Sequence, residues 1–125
     1  FLLENEELLV NEIAPRPHNS GHHTIDSFTV SQYELQIRAL VGLPLVTPLQ
    51  ITPSVLLNVL GEEYTKLTDS YTTNRILENQ TTRIYSYGKP DVRPGRKMGH
   101  LLFSGPSQED LLSDALEARK ILTKV

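Results

Sequence analysis

Three prolines between residues 43 and 53, Pro44, Pro48 and Pro53, divide this chain. No helix and no central strand runs through such a stretch, because each ring fixes φ and removes a backbone donor. We therefore read residues 43–53 as a connection and expect two units, residues 1–53 and residues 54–125. Pro15 and Pro17 end an apolar N-terminal run in the same way, and Ser104-Gly105-Pro106 closes the last strand. The chain has 125 residues, 38% hydrophobic and 22% charged, a size and composition that supports a core without covalent staples. It has no cysteine, which excludes disulfides, thiolate zinc sites and thiol nucleophiles. A net charge of −3 argues against a general nucleic-acid binder, so any basic site is local. No apolar run approaches the roughly 20 residues of a membrane span, and no signal peptide opens the chain. The expectation is a cytoplasmic protein with no membrane and no nucleic-acid partner.

Local patterns set the elements. Phe1–Leu3 and Leu8–Ala14 are apolar runs around Glu4-Asn5-Glu6-Glu7, which predicts a hairpin with a four-residue loop. Because this apolar strand opens the chain without a polar lead-in, we read residue 1 as lying inside a larger fold. Arg16–His23 reads as a polar loop. Ser31-x-x-Glu34 has capping-box spacing before Tyr33, Ile37, Leu40 and Val41, with Val30 preceding, and Gly42 and Pro44 stop that helix. Val55–Leu60 predicts a strand, and residues 62–82 a polar surface insertion with one helical turn. Arg83–Tyr87 alternates as a strand, Lys89–Lys97 is a basic loop, and Gly99–Ser104 is another strand. Ser107-x-x-Asp110 caps a last helix whose stripe is Leu111, Leu112, Ala115, Leu116, Ala118 and Leu122. Glu109 and Asp110 at its start, and Arg119, Lys120 and Lys124 at its end, suit the macrodipole.

Two stretches carry chemistry. In the first, Asn11-Glu12-Ile13-Ala14-Pro15-Arg16-Pro17-His18, alternation places Glu12 on a strand face with Leu8 and Val10, where a carboxylate needs a cation. Magnesium on nucleotide phosphates would satisfy Glu12, and Arg16 offers a planar fork for a carboxylate, bicarbonate or phosphate. An ion pair between Glu12 and Arg16 would serve the same residues and is the commoner arrangement. His18 and His22 supply only two nitrogens in a proline-flanked loop with no third ligand, so zinc is disfavoured, and His18 suits proton transfer or anion orientation. In the second stretch, Lys89, Arg93, Arg96 and Lys97 crowd around Gly95, a pattern fit for a phosphate ester by charge-assisted hydrogen bonds. It lacks the order of a Walker loop, and a solvated basic turn is the usual explanation of such a charge run. Asn79-Gln80-Thr81 matches a glycosylation sequon, a short pattern frequent by chance.

The whole string resembles a known family. Leu9-Val10-Asn11-Glu12-Ile13-Ala14-Pro15-Arg16-Pro17-His18-Asn19-Ser20-Gly21-His22 is similar to the ATP-grasp signature of N5-carboxyaminoimidazole ribonucleotide synthetase. Thr24-Ile25-Asp26-Ser27, Ser31-Gln32-Tyr33-Glu34, Asn58-Val59-Leu60-Gly61, Tyr87-Gly88-Lys89 and Arg93-Pro94-Gly95-Arg96-Lys97-Met98-Gly99-His100 follow in the family's order. The resemblance implies an α+β chain: the C-terminal end of an ATP-grasp domain over 1–53, then a small β-rich, rudimentary single-hybrid-like domain over 54–125 with a C-terminal helix. It implies an ATP-dependent carboxylase of purine biosynthesis, in which aminoimidazole ribonucleotide, bicarbonate and ATP give N5-carboxyaminoimidazole ribonucleotide, ADP and phosphate.

By the same resemblance, Glu12 holds Mg²⁺ and with Asn11 lines the ATP site, Arg16 and His18 are catalytic at the bicarbonate and carboxyphosphate region, and Lys89, Arg96 and Lys97 bind the ribonucleotide. The family's other magnesium-binding glutamate falls just before Phe1, so a missing N-terminal ATP-grasp portion is an expected partner and the fragment alone is expected to be inactive. A homodimer is expected, as is a fungal origin with a fused mutase-like domain, from the insertion around 62–82. The alternative is a non-catalytic fragment serving as a phosphate-binding or dimerisation module.

Overall fold

The computed structural model describes residues 2–5 and 7–123. Phe1 and Glu6, expected in the first strand and its loop, and Lys124, expected at the last helix's end, lie outside the described residues. Strands β1 (Leu2–Glu4) and β2 (Glu7–Leu9) form an antiparallel hairpin. Glu4 pairs with Glu7, so the turn holds two residues and not the expected four. Asn5 makes it with φ 49°, a left-handed conformation that asparagine tolerates. β2 ends at Leu9, well short of Ala14, and residues 10–14 are exposed and outside any strand. Alternation therefore does not place Glu12 on a buried face.

Residues 16–31 are more ordered than the polar loop expected. They contain a 3₁₀ turn (Asn19–Gly21) and a short helix α1 (Thr24–Ser27). Helix α2 (Gln32–Val41) forms as predicted: Ser31 Oγ accepts from the Glu34 N–H at 3.2 Å, and Gly42 ends the helix at φ 72°. Only half of the capping box forms, because the Glu34 carboxylate turns to Arg38 at 2.7 Å. Val30 is buried, but Ile37, Leu40 and Val41 are exposed. The helical period was legible, but this face is uncovered here.

The second unit is a three-stranded antiparallel sheet in the order β3 (Ser54–Leu60), β5 (Lys97–Ser104), β4 (Thr82–Ser86). β5 is central, and Met98 through Phe103 are all buried. Each such Leu, Met or Phe contributes about 1.5–3 kcal/mol by leaving water. One sheet face carries Val59, Leu101 and Phe103 and packs on helix α5 (Gln108–Thr123) through Leu111, Ala115, Ala118 and Leu122. Leu112 and Leu116, expected in that stripe, are about half exposed at 52% and 53%.

Residues 61–82 differ most from expectation. They form two helices, α3 (Gly61–Leu67) and α4 (Ser70–Leu77), with Leu67 and Ile76 inside the core. Glu63 reaches back to the Leu60 N–H at 2.8 Å, and Asp69 accepts from the Thr72 N–H at 2.9 Å. These caps satisfy helix-end donors that a reading of Thr and Asn content overlooked. Among the described residues, no helix is long and apolar enough to cross a membrane.

Candidate active site

The second sheet face is polar at its centre. Register aligns Asn58, His100 and Tyr85 as one row across β3, β5 and β4. Against this row lies the histidine turn, residues 18–23, which is anchored by α2. Gln32 accepts from the His18 N–H at 3.0 Å and donates to the His18 carbonyl at 2.9 Å. His18 caps the 3₁₀ turn, its Nδ1 accepting from the Ser20 N–H at 3.3 Å. That bond keeps the proton of a neutral ring on Nε2.

Four rings stack into a column. Tyr33 lies 5.7 Å from His22, His22 5.2 Å from His100, and His100 4.7 Å from Tyr85, with interplanar angles of 15°, 22° and 16°. His22 Nδ1 accepts from Gln32 Nε2 at 2.8 Å and lies 2.9 Å from the Tyr33 hydroxyl. Burial pushes the His22 pKa down, with His18 and Lys97 nearby adding to it. His100 is only 2% exposed, and burial, aided by His22, lowers its pKa to about 4. Tyr85 donates to Asp26 Oδ2 at 2.7 Å. Burial first, and then that bond, raise its pKa to about 12.

Asn19 joins this face to the basic loop. Its Nδ2 donates to Asn58 Oδ1 at 2.8 Å and lies 3.4 Å from the Tyr87 hydroxyl, while its Oδ1 lies 3.3 Å from Lys97 Nζ. Lys89 donates to the Lys97 carbonyl and sits 5.2 Å over the Tyr87 ring. Lys97 lies on β5 and not in the loop, beside a bulge that leaves Met98 unpaired with β3. Asp91 offsets part of the loop's charge, pairing with Arg93 at 3.1 Å and with Arg96 at 3.9 Å. Lys89 and Lys97 form no ion pair among the described residues, so they are the cations left for an incoming anion.

The remaining expected residues stand apart. Asn11 and Glu12 are exposed and have no hydrogen bond or ion pair among the described residues. The suggested Glu12–Arg16 ion pair does not form: Arg16 instead donates to the Pro17 carbonyl at 3.3 Å. Arg16 borders a groove of about 480 Å³ lined also by Pro15, Gln32, Leu35 and Val46. No group of three or more His, Asp or Glu suited to a metal exists among the described residues, so a cation at Glu12 would take fewer than three such ligands from them. That donor set suits a hard cation held mainly by phosphate oxygens and water, as Mg²⁺ is.

The sequence points neither to the roles of Asn19, Tyr85 and His100 nor to the stacking of His22, which enters there only as a disfavoured zinc ligand. The available signal was a histidine inside the apolar run Gly99–Ser104. A polar ring at a central-strand position needs a partner.

Comparison with known proteins gives matches to two family models. Residues 1–33 match the ATP-grasp domain, and residues 54–114 match the phosphoribosylaminoimidazole carboxylase C-terminal domain. The phosphoribosylaminoimidazole carboxylase of Candida albicans is 45% identical over 98% of this chain and 23% of its own length. The N5-carboxyaminoimidazole ribonucleotide synthetase of Thermotoga maritima superposes with TM-score 0.84 at 41% identity, over 97% of this chain and 34% of that one. An N5-carboxyaminoimidazole synthase from Aspergillus clavatus, solved with ADP and 5-aminoimidazole ribonucleotide, superposes with TM-score 0.85 at 31% identity. It is covered over 100% of this chain and 34% of its own. The chain thus spans about a quarter to a third of the length of the proteins it matches.

Proposed function

Because this chain belongs to the N5-carboxyaminoimidazole ribonucleotide synthase family of ATP-grasp proteins, we propose that it is the C-terminal part of an ATP-dependent carboxylase of purine biosynthesis. The reaction takes aminoimidazole ribonucleotide, bicarbonate and ATP to N5-carboxyaminoimidazole ribonucleotide, ADP and phosphate. Residues 1–53 serve as the end of the ATP-grasp domain and residues 54–125 as the small C-terminal domain. The exposed apolar side chains of residues 8–13 and 37–51 suit a surface covered by the rest of that ATP-grasp domain. We place the protein in the cytoplasm as a homodimer, on the family resemblance alone.

The observation that carries this reading is the junction at Asn19. One side chain holds the histidine turn, the sheet and Lys97 together, so a bicarbonate-side loop and a phosphate-side loop meet. His18, protonated on Nε2, is set to donate to an oxyanion beside Arg16. Lys97 and Lys89, whose ammonium groups are hydrogen-bonded but form no ion pair among the described residues, meet the ribonucleotide phosphate, with Arg96 adjacent. Glu12, with Asn11 beside it, would hold Mg²⁺ at the ATP phosphates, and that ion would neutralise phosphate charge when bound.

The test is ATP- and bicarbonate-dependent phosphate release, with aminoimidazole ribonucleotide present, in the full-length protein carrying Glu12→Ala or Lys97→Ala. Loss of rate in both is expected. Wild-type rates in both would remove these residues from the carboxylase site.

A further inference from the structure

Lys97, Asn19, Tyr87 and His100 form a chain of hydrogen-bond contacts whose direction is set at the Lys97 end. An ammonium group has donors and no acceptor, so the Asn19 atom 3.3 Å from Lys97 Nζ is its carbonyl. The amide nitrogen then faces Asn58 Oδ1 at 2.8 Å and the Tyr87 oxygen at 3.4 Å. Turning the amide over would set an NH₂ against the ammonium and a carbonyl against the Asn58 carbonyl. Having accepted from Asn19, the Tyr87 hydroxyl sends its own proton to His100 Nδ1, 2.9 Å away. A lone pair on His100 Nδ1 takes that proton, and the neutral ring then bears its own proton on Nε2, which has no partner among the described residues.

We propose that His100 is a positioning residue: its Nδ1 lone pair fixes the Tyr87 hydroxyl, which fixes the Asn19 amide, which turns a carbonyl toward the Lys97 ammonium. The role rests on the reading of Lys97 as a cation for the ribonucleotide phosphate. The groups facing His100 are compatible with a neutral ring. His22 stacks on one side, Tyr85 on the other, and Tyr87 lies at its edge. Asp26, the nearby carboxylate, already accepts from Tyr85. A protonated His100 would present an N–H to Tyr87 in place of a lone pair and so take away the acceptor for the hydroxyl proton, and burial holds the ring's pKa down to about 4.

The test uses the full-length carboxylase with Tyr87→Phe, His100→Phe, the double variant, and His100→Asn, whose Oδ1 stands where Nδ1 stood. With either phenylalanine, the KM for aminoimidazole ribonucleotide should rise about 10-fold while the KM for ATP stays within about 2-fold. The double variant should be no worse than either single, because the residues act in series, and His100→Asn should recover most of the loss. Wild-type ribonucleotide KM in both singles, equal loss toward ATP, or multiplicative losses would overturn the proposal. A second readout needs no catalysis: ¹⁵N NMR of labelled histidine should show His100 Nδ1 without and Nε2 with a proton from about pH 8 to about pH 5. A proton on Nδ1, or titration near the ordinary histidine value, would overturn it even if the phenylalanine variants fail to fold. If the wild-type protein releases no phosphate with aminoimidazole ribonucleotide, the carboxylase reading fails, and the imidazole signals still decide the hydrogen-bond chain.

Discussion

Gln32 brackets the His18 peptide: its Oε1 accepts from the His18 N–H at 3.0 Å while its Nε2 donates to the His18 carbonyl at 2.9 Å. The same Nε2 lies 2.8 Å from His22 Nδ1. Gly21 lies close under this side chain, since a Cβ there would meet Gln32 Oε1 at 2.3 Å. The first residue of α2, placed by the Ser31 cap, thus sets the backbone from which His18 and Asn19 project.

Gln32→Leu should therefore loosen the histidine turn. The His18 carbonyl keeps its bond from the Gly21 N–H at 2.9 Å, so the loss falls on the part-buried His18 N–H and costs about 1–3 kcal/mol. A loosened His18 should lower carboxylase turnover by about 10-fold or more, because positioning carries much of such a rate. Unfolding and steady-state assays of the full-length protein check both. Unchanged stability together with unchanged turnover would show that the bracket holds nothing that matters.

His100 makes the fold acid-sensitive. Its pKa falls from an ordinary 6.5 to about 4, so the unfolded chain binds this proton more readily than the folded one. The stabilisation is complete above about pH 6.5, is lost as pH falls toward about 4, and amounts to about 3 kcal/mol in all. His22, also lowered, acts in the same direction. Urea unfolding at about pH 7 and about pH 4.5 should show a smaller difference in His100→Phe than in wild type. An equal difference in the two proteins would contradict the assignment.

Gly99 is required by a close approach and not by a turn. It sits in the central strand opposite Ser86, where an added Cβ would come within 2.3 Å of the Tyr85 carbonyl. Neither backbone can yield without breaking the β4–β5 ladder. Gly99→Ala should cost about 1–3 kcal/mol by overpacking and displace the Tyr85–His100 stack, visible as changed histidine ring shifts. Gly105→Ala is the control, because its Cβ would meet nothing nearer than 3.5 Å. Equal stability of the two variants would refute the close-approach argument.

The sequence by itself determined the elements whose signals are local. Ser31 and Gly42 bound α2, four of the six expected stripe residues of α5 (Leu111, Ala115, Ala118 and Leu122) form its buried face, and the alternation Arg83–Tyr87 turns Ile84 to the core and Tyr85 to the other face. The two basic and carboxylate motifs, and with them the family, were legible for the same reason: they are contiguous strings. Residues 61–82 were misread because their polar composition hides two apolar anchors, Leu67 and Ile76, which become helix-defining only when α5 is present to pack against. Strand length at Glu12 was misread because alternation says nothing about whether a partner strand continues.

The junction of Asn19, Asn58, Tyr87, Lys97 and His100 lay beyond any local pattern. Its members come from a turn (Asn19), strand β3 (Asn58), the residue just past β4 (Tyr87) and strand β5 (Lys97 and His100), and Asn19 lies 39 positions from Asn58 and 78 from Lys97. Only the register of β3 on β5 and β5 on β4, fixed by burying the opposite face of the sheet, brings them within hydrogen-bond reach. Once they are there, burial removes the competing water and leaves His100 a neutral acceptor.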